Sequence, residues 1–112
     1  MSTRRSKRAG VRPEAVFAAL ADETRLRLVA RLSSAGPQSI ARLTAGTTVS
    51  RQAVTKHLRV LERAGLACSA RSGRESVWAF ESAPLATARR CLEGIAAQWD
   101  ATLERLKGFA ET

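Results

Sequence analysis

The sequence predicts a mainly α-helical fold with one small β-hairpin. Three observations carry that prediction. Apolar residues recur every three or four positions in several segments and along most of the C-terminal quarter. Between Leu66 and Phe80 the period shortens to two, around the turn-forming pair Ser72-Gly73. Residues that start helices (Pro13, Asp22, Ser39, Ser50, Pro84) alternate with residues that stop them (Gly36-Pro37, Gly46, Gly65).

Taken in order, residues 1–12 hold five basic residues and no acid, with no apolar period, and read as a disordered basic arm. Arg4, Arg5, Lys7 and Arg8 in it are candidate phosphate contacts. Residues 13–112 then read as one domain. Pro13 suits the first turn of a helix, where its missing N–H costs nothing. Val16, Phe17 and Leu20 make that helix's apolar stripe. Asp22 caps a second helix, in which Leu28 and Leu32 form one row and Leu26, Val29 and Ala30 the next, a wide face expected to be buried. Gly36-Pro37 ends it. Ser39 caps a short third helix carrying Ile40 and Leu43, and Gly46 stops it. Ser50 caps a fourth helix in "SRQAVTKHLRVLERAGL". After the hairpin, with Trp78 and Phe80 on one face, Pro84 opens a long last helix, about residues 85–109, with one weak point at Gly94.

Composition limits what this fold does. The 112 residues make one domain with a modest core. A net charge of +9 calls for an anionic partner, nucleic acid or a membrane surface. No apolar run approaches the ~20 residues that span a bilayer, and no apolar signal core follows the basic N-terminus. Two cysteines are too few for a disulfide framework. A cytoplasmic protein with no membrane partner is expected.

The fourth helix separates two chemistries. Val54, Leu58, Leu61 and Gly65 share one face, suited to packing. Gln52, Thr55, Lys56 and Arg59 share another, at i, i+3, i+4 and i+7, suited to base edges and phosphates. Arg51 and Gln52 occupy the first turn, the part of a recognition helix that goes deepest into the major groove. Arg71 and Arg74 bracket the hairpin turn, where arginines follow a phosphate backbone or enter a minor groove. Helix, turn, helix and basic hairpin together read as a winged helix-turn-helix that binds double-stranded DNA. From Ile40 to Phe80 seven basic residues face two acids, whereas from Leu85 onward four face four. The last helix is therefore neutral and apolar, and looks like a surface for protein.

"ALADETRLRLVARL", "SRQAVTKHLRVLERAGL", the "RSGRE" wing and the long C-terminal helix resemble the ArsR family of winged-helix transcriptional repressors. The resemblance covers about Pro13 to Phe109. It implies a homodimer held by the first and last helices, here Val16, Phe17, Leu92, Ile95, Trp99, Leu103 and Leu106, binding an inverted-repeat operator. Carried over by position, Ser50, Arg51, Gln52, Thr55 and Lys56 are the recognition contacts. His57 matches the family's usual histidine, and is read as packing in preference to touching a phosphate.

The metal-sensing motifs depart from that pattern. Metal-responsive members carry a Cys-x-Cys pair in the third helix or His and carboxylates in the last. The third helix here is "SIARLTAG" and the last has no His. Neither a metal nor a cofactor is expected, and the sequence names no inducer. Cys68 and Cys91 read first as small packed side chains. Arg89 and Arg90 place positive charge beside Cys91, so a thiol- or metalloid-responsive repressor switching through Cys91 or Cys68 is the alternative. Three further alternatives are a non-specific architectural DNA-binding protein, a winged helix for RNA or protein, and an enzyme. Against the last, the sequence has no nucleophile elbow, phosphate loop or carboxylate pair framed by a His, so no enzyme activity is expected.

Overall fold

The computed structural model describes residues 12–111. Of the basic arm only Arg12 falls among them; Arg4, Arg5, Lys7 and Arg8 lie outside the described residues. The elements are α1 (Pro13–Leu20), α2 (Glu23–Ala35), β1 (Gln38–Ser39), α3 (Ile40–Ala45), α4 (Arg51–Arg63), β2 (Ala67–Ser72), β3 (Glu75–Phe80) and α5 (Ala83–Glu111).

The expected caps form. The side chains of Asp22, Ser39 and Ser50 accept the backbone N–H groups of Arg25, Arg42 and Ala53, each satisfying an orphan donor of the helix it opens. Pro13 sits in the first turn of α1. Gly36 adopts φ 83°, which a side chain resists, and its N–H bonds to the Leu32 carbonyl to close α2.

The hairpin belongs to a three-stranded antiparallel sheet of order β1-β3-β2. Strand β1 pairs Gln38 with Trp78 and Ser39 with Val77. It was not expected: two residues carry no readable period. The turn also lies one residue later than the sequence suggests. Ser72 pairs with Glu75, so the two loop residues are Gly73 and Arg74. Gly73 has φ 64°, as a glycine opening a two-residue hairpin loop requires.

One core joins α1 to the sheet. Val16, Leu28, Leu32, Ile40, Leu43, Val54, Leu58, Leu61, Leu66 and Trp78 are all buried in it. Each of these burials removes a side chain worth about 1.5–3 kcal/mol from water. The second row of α2 departs from expectation: Val29 packs partly on the core, but Leu26 is 51% exposed and Ala30 is exposed. The core covers the Leu28–Leu32 row and reaches Val29, and leaves Leu26 and Ala30 outside it.

Helix α5 is longer than this body can cover. Its 29 residues span about 43 Å at ~1.5 Å per residue. Only Pro84 and Ala88, in its first two turns, are buried. The radius of gyration is 18.3 Å, against about 13 Å for a compact chain of similar length. The difference reflects the projecting helix. No helix among the described residues is long and apolar enough to cross a membrane.

Candidate nucleic-acid interface

Helix α4 carries out the division read from its sequence. Val54, Leu58 and Leu61 are fully buried, while Arg51, Gln52, Lys56 and Arg59 are exposed. The buried row fixes the helix on the core, and so fixes which side chains face outward. Arg51 and Gln52 stand exposed in the first turn. Ser50 is committed to capping: its Oγ accepts the Ala53 N–H at 3.1 Å, which leaves its O–H to donate to a ligand. Thr55 is half-buried and its Oγ1 donates to the Arg51 carbonyl at 3.0 Å, so only its lone pairs and methyl group remain for a base.

The hairpin tip is open. Residues 70–75 are exposed, and Arg71 and Arg74 stand on either side of Gly73. With Arg51 and Lys56 they make four exposed cations, two on the helix and two on the wing. A groove of about 590 Å³ runs along α4, lined by Lys56, His57, Arg59, Arg63 and Arg25 with Ala53, Thr55 and Val60. Of its cations, Lys56 and Arg63 are exposed and suit the phosphates of a polyanion.

Arg59 is placed differently from its helix neighbours. Its Nη1 donates to Glu62 Oε1 at 2.9 Å, and its Cζ lies 5.2 Å from the centroid of a Trp78 ring. It is exposed, yet directed towards the sheet.

Three long side chains hold the reading unit together, and sequence reasoning assigned two of them no role. Arg31, on α2, donates to the carbonyls of Leu43 and Arg42 at 3.0 and 3.1 Å and to Gln38 Oε1 at 3.3 Å. It thereby satisfies carbonyls left open at the end of the short α3. Its guanidinium lies over Gly46, where any Cβ would overlap it. Arg25, also on α2, donates to the Ala19 carbonyl at 2.6 Å and to His57 Nδ1 at 3.1 Å. This ties the end of α1 to the middle of α4. The third is His57. It is half-buried, with Asp22 Oδ2 3.9 Å from its Nδ1. The backbone N–H of Arg25 holds the Asp22 carboxyl below its ordinary pKa, the Arg25 charge acts in the same direction, and partial burial opposes them. No spacing signal points to Arg25 or Arg31, because their partners come from other elements.

The residues expected at a subunit interface fall into two groups. Leu92, Ile95, Trp99, Leu103 and Leu106 of α5 are 39–59% exposed, and Phe109 is 82% exposed. Phe17 is half-buried and lines a groove of about 610 Å³ with Leu20, Leu85 and Leu92. Val16 is a correction: it is fully buried in the protomer's own core, because the inner side of α1 packs into that core. Cys68 and Cys91 are both half-buried and neither is in a disulfide. The Cys68 thiol donates to Glu81 Oε2 at 3.1 Å. Among the described residues no three His, Cys, Asp or Glu side chains converge.

Comparison with known proteins follows the same geometry. Residues 20–67, which span α2 through α4, match the family described as helix-turn-helix domain. The chain is 39% identical over 93 residues to the HTH-type transcriptional regulator Rv2034 of Mycobacterium tuberculosis, covering 83% of this chain and 80% of that protein. It is 38% identical over 78 residues to the HTH-type transcriptional regulator YuzN of Bacillus subtilis, covering 64% of this chain and 85% of that one. Among solved structures, an ArsR-like transcriptional regulator from Rhodococcus sp. RHA1 superposes with a TM-score of 0.76 at 41% identity, over 88% of this chain and 92% of that chain. With a buried-backed basic helix, a wing and relatives at this level of identity, the chain belongs to the ArsR family of helix-turn-helix transcriptional regulators.

Proposed function

We propose that this regulator is a cytoplasmic, homodimeric repressor that reads an inverted-repeat operator with its two α4 helices. The single observation that carries the base-reading role is the first turn of α4. Arg51 and Gln52 are exposed there while the opposite face of the helix is locked into the core. Arg51 has the donor pair that fits guanine, and Gln52 the donor and acceptor that fit adenine. Ser50, Thr55 and Lys56 flank them. Arg71 and Arg74 on the wing hold the sugar-phosphate rail. In a dimer the two helices enter successive major grooves about 34 Å apart. The reading contains no catalytic step, cofactor or metal.

The dimer is supported by the stripe on α5. Five large apolar side chains at spacings of three and four stand in solvent on a helix too long for its own body. An isolated helix of that kind is marginal in water. A second copy of the same stripe covers it. The groove at Phe17 and Leu92 continues the stripe onto α1, so the interface uses Phe17 but not Val16.

Binding isotherms on selected and scrambled duplexes at several salt concentrations test the DNA half. Gln52→Ala is expected to cost about 1–3 kcal/mol on the selected duplex and little on the scrambled one. Arg74→Ala is expected to weaken both equally and to lower the salt slope by about 0.9 for each lost phosphate contact. Identical losses for the two variants on both duplexes would replace sequence reading with architectural binding.

A further inference from the structure

We propose that Arg59 serves DNA binding as a positioning residue for the wing, not as a phosphate contact. The inference rests on the reading of α4 as the recognition helix and of β2–β3 as its wing. By spacing alone Arg59 belongs with Gln52, Thr55 and Lys56 on the outward face of α4. Its surroundings separate it from them. The Cζ atom lies 5.2 Å from the centroid of a Trp78 ring, and Nη1 donates to Glu62 Oε1 at 2.9 Å. The cation is therefore neutralised on its own helix and held against an aromatic ring of the sheet, an arrangement that attracts guanidinium groups. Swinging the guanidinium out to a phosphate rail would give up the ring contact and draw Nη1 away from Glu62. Lys56, Arg71 and Arg74 have no side-chain ion pair or hydrogen bond to break among the described residues.

Trp78 is well placed to transmit what Arg59 does. It is 2% exposed and sits on the central strand, paired with Gln38 on one side and Ser69 on the other. From Trp78 the strand runs outward to Arg74 over about 13 Å. All of residues 70–75 are exposed, so the outer hairpin takes its direction from its base. A rotation of β3 at Trp78 therefore displaces Arg71 and Arg74 relative to the first turn of α4. Arg59 joins the helix that reads bases to the strand that carries the wing, and so sets the angle between them.

The test uses the full chain and a duplex that the wild-type protein selects from a random pool. Affinity is measured over a series of potassium chloride concentrations, and backbone amide exchange is followed at Ser76 to Ala79. Arg59→Ala is expected to bind roughly two- to five-fold more weakly, with the wild-type salt slope and faster exchange in β3. Arg74→Ala, in contrast, is expected to lower the slope. Arg59→Gln, which keeps a polar end on a shorter, uncharged side chain, is expected to match Arg59→Ala. A fall in salt slope for either Arg59 variant like that of Arg74→Ala would overturn the proposal. Unchanged affinity or unchanged exchange in β3 would overturn it too. If Gln52→Ala lost nothing on the selected duplex, the recognition-helix reading would fail first, and the Arg59 proposal with it.

Discussion

Helices α4 and α5 are both amphipathic, but they complete their burial in different places. In α4 the apolar row of Val54, Leu58 and Leu61 is fully buried within the protomer, and what remains outside is polar and cationic. In α5 the row from Leu92 to Leu106 stays open, and its charges balance. The first helix is finished as a folding unit and has a face left over for a polyanion. The second is unfinished, and its leftover face is the apolar one. A stripe of the same periodicity thus means core in one helix and association in the other. Charge on the opposite face and the length of helix beyond the core tell them apart.

The largest effects should come from attacking each stripe. Leu58→Ala opens a cavity in the core and is expected to cost about 2–5 kcal/mol of unfolding free energy, read by denaturant titration. Trp99→Glu puts an unpaired charge where a second copy is expected to pack. It should weaken association by about 3 kcal/mol or more in sedimentation equilibrium, and leave the helical content of the core unchanged. If Trp99→Glu lowered core stability as Leu58→Ala does, α5 would belong to the protomer core and the contrast would fail.

A smaller effect tests how the reading unit is held. Arg31→Ala removes the donors to the Leu43 and Arg42 carbonyls. Gly46→Ala displaces the same guanidinium with a methyl group. Each is expected to cost about 1–2 kcal/mol of stability, and the double variant little more than either alone, since both abolish one arrangement. Full additivity would separate the two residues.

Much of this was legible in the sequence, for definite reasons. Caps and breakers are local chemistry, so Asp22, Ser39, Ser50 and Gly36 behaved as their types require. The face of α4 was legible because period and polarity agree over 13 residues. What was not legible depends on tertiary neighbours. Strand β1 exists because β3 passes beside it. Leu26 is exposed and Val16 buried because the core reaches one side of each helix and not the other. Arg25, Arg31 and Arg59 find partners 6–32 residues away on other elements, or an aromatic ring on the sheet. No window of sequence contains those contacts.

Two smaller predictions sharpen the contrast further. Gly94 lies in α5 with open space around its Cα, so Gly94→Ala is expected to stabilise the helix by about 0.5–1 kcal/mol without altering DNA preference. A loss of association on that substitution would show that a partner helix passes closely at Gly94. In acid, the α2 cap supplies a local test. The folded-state pKa of Asp22 is depressed, so its contribution is present at neutral pH. It is lost as the pH falls below the ordinary carboxylate range, near ~4, and through the folded value. Asp22→Asn keeps a capping oxygen but cannot titrate, so its stability should change less across that acid window than the wild type's.

The central claim is that the open stripe on α5 is completed by a second copy of the chain. Sedimentation equilibrium of the wild-type protein at micromolar concentration addresses it most directly. The account predicts a mass twice the 12.1 kDa of one chain, without DNA present. A mass of one chain across the micromolar range would contradict it, and would leave the apolar face of α5 to a different partner.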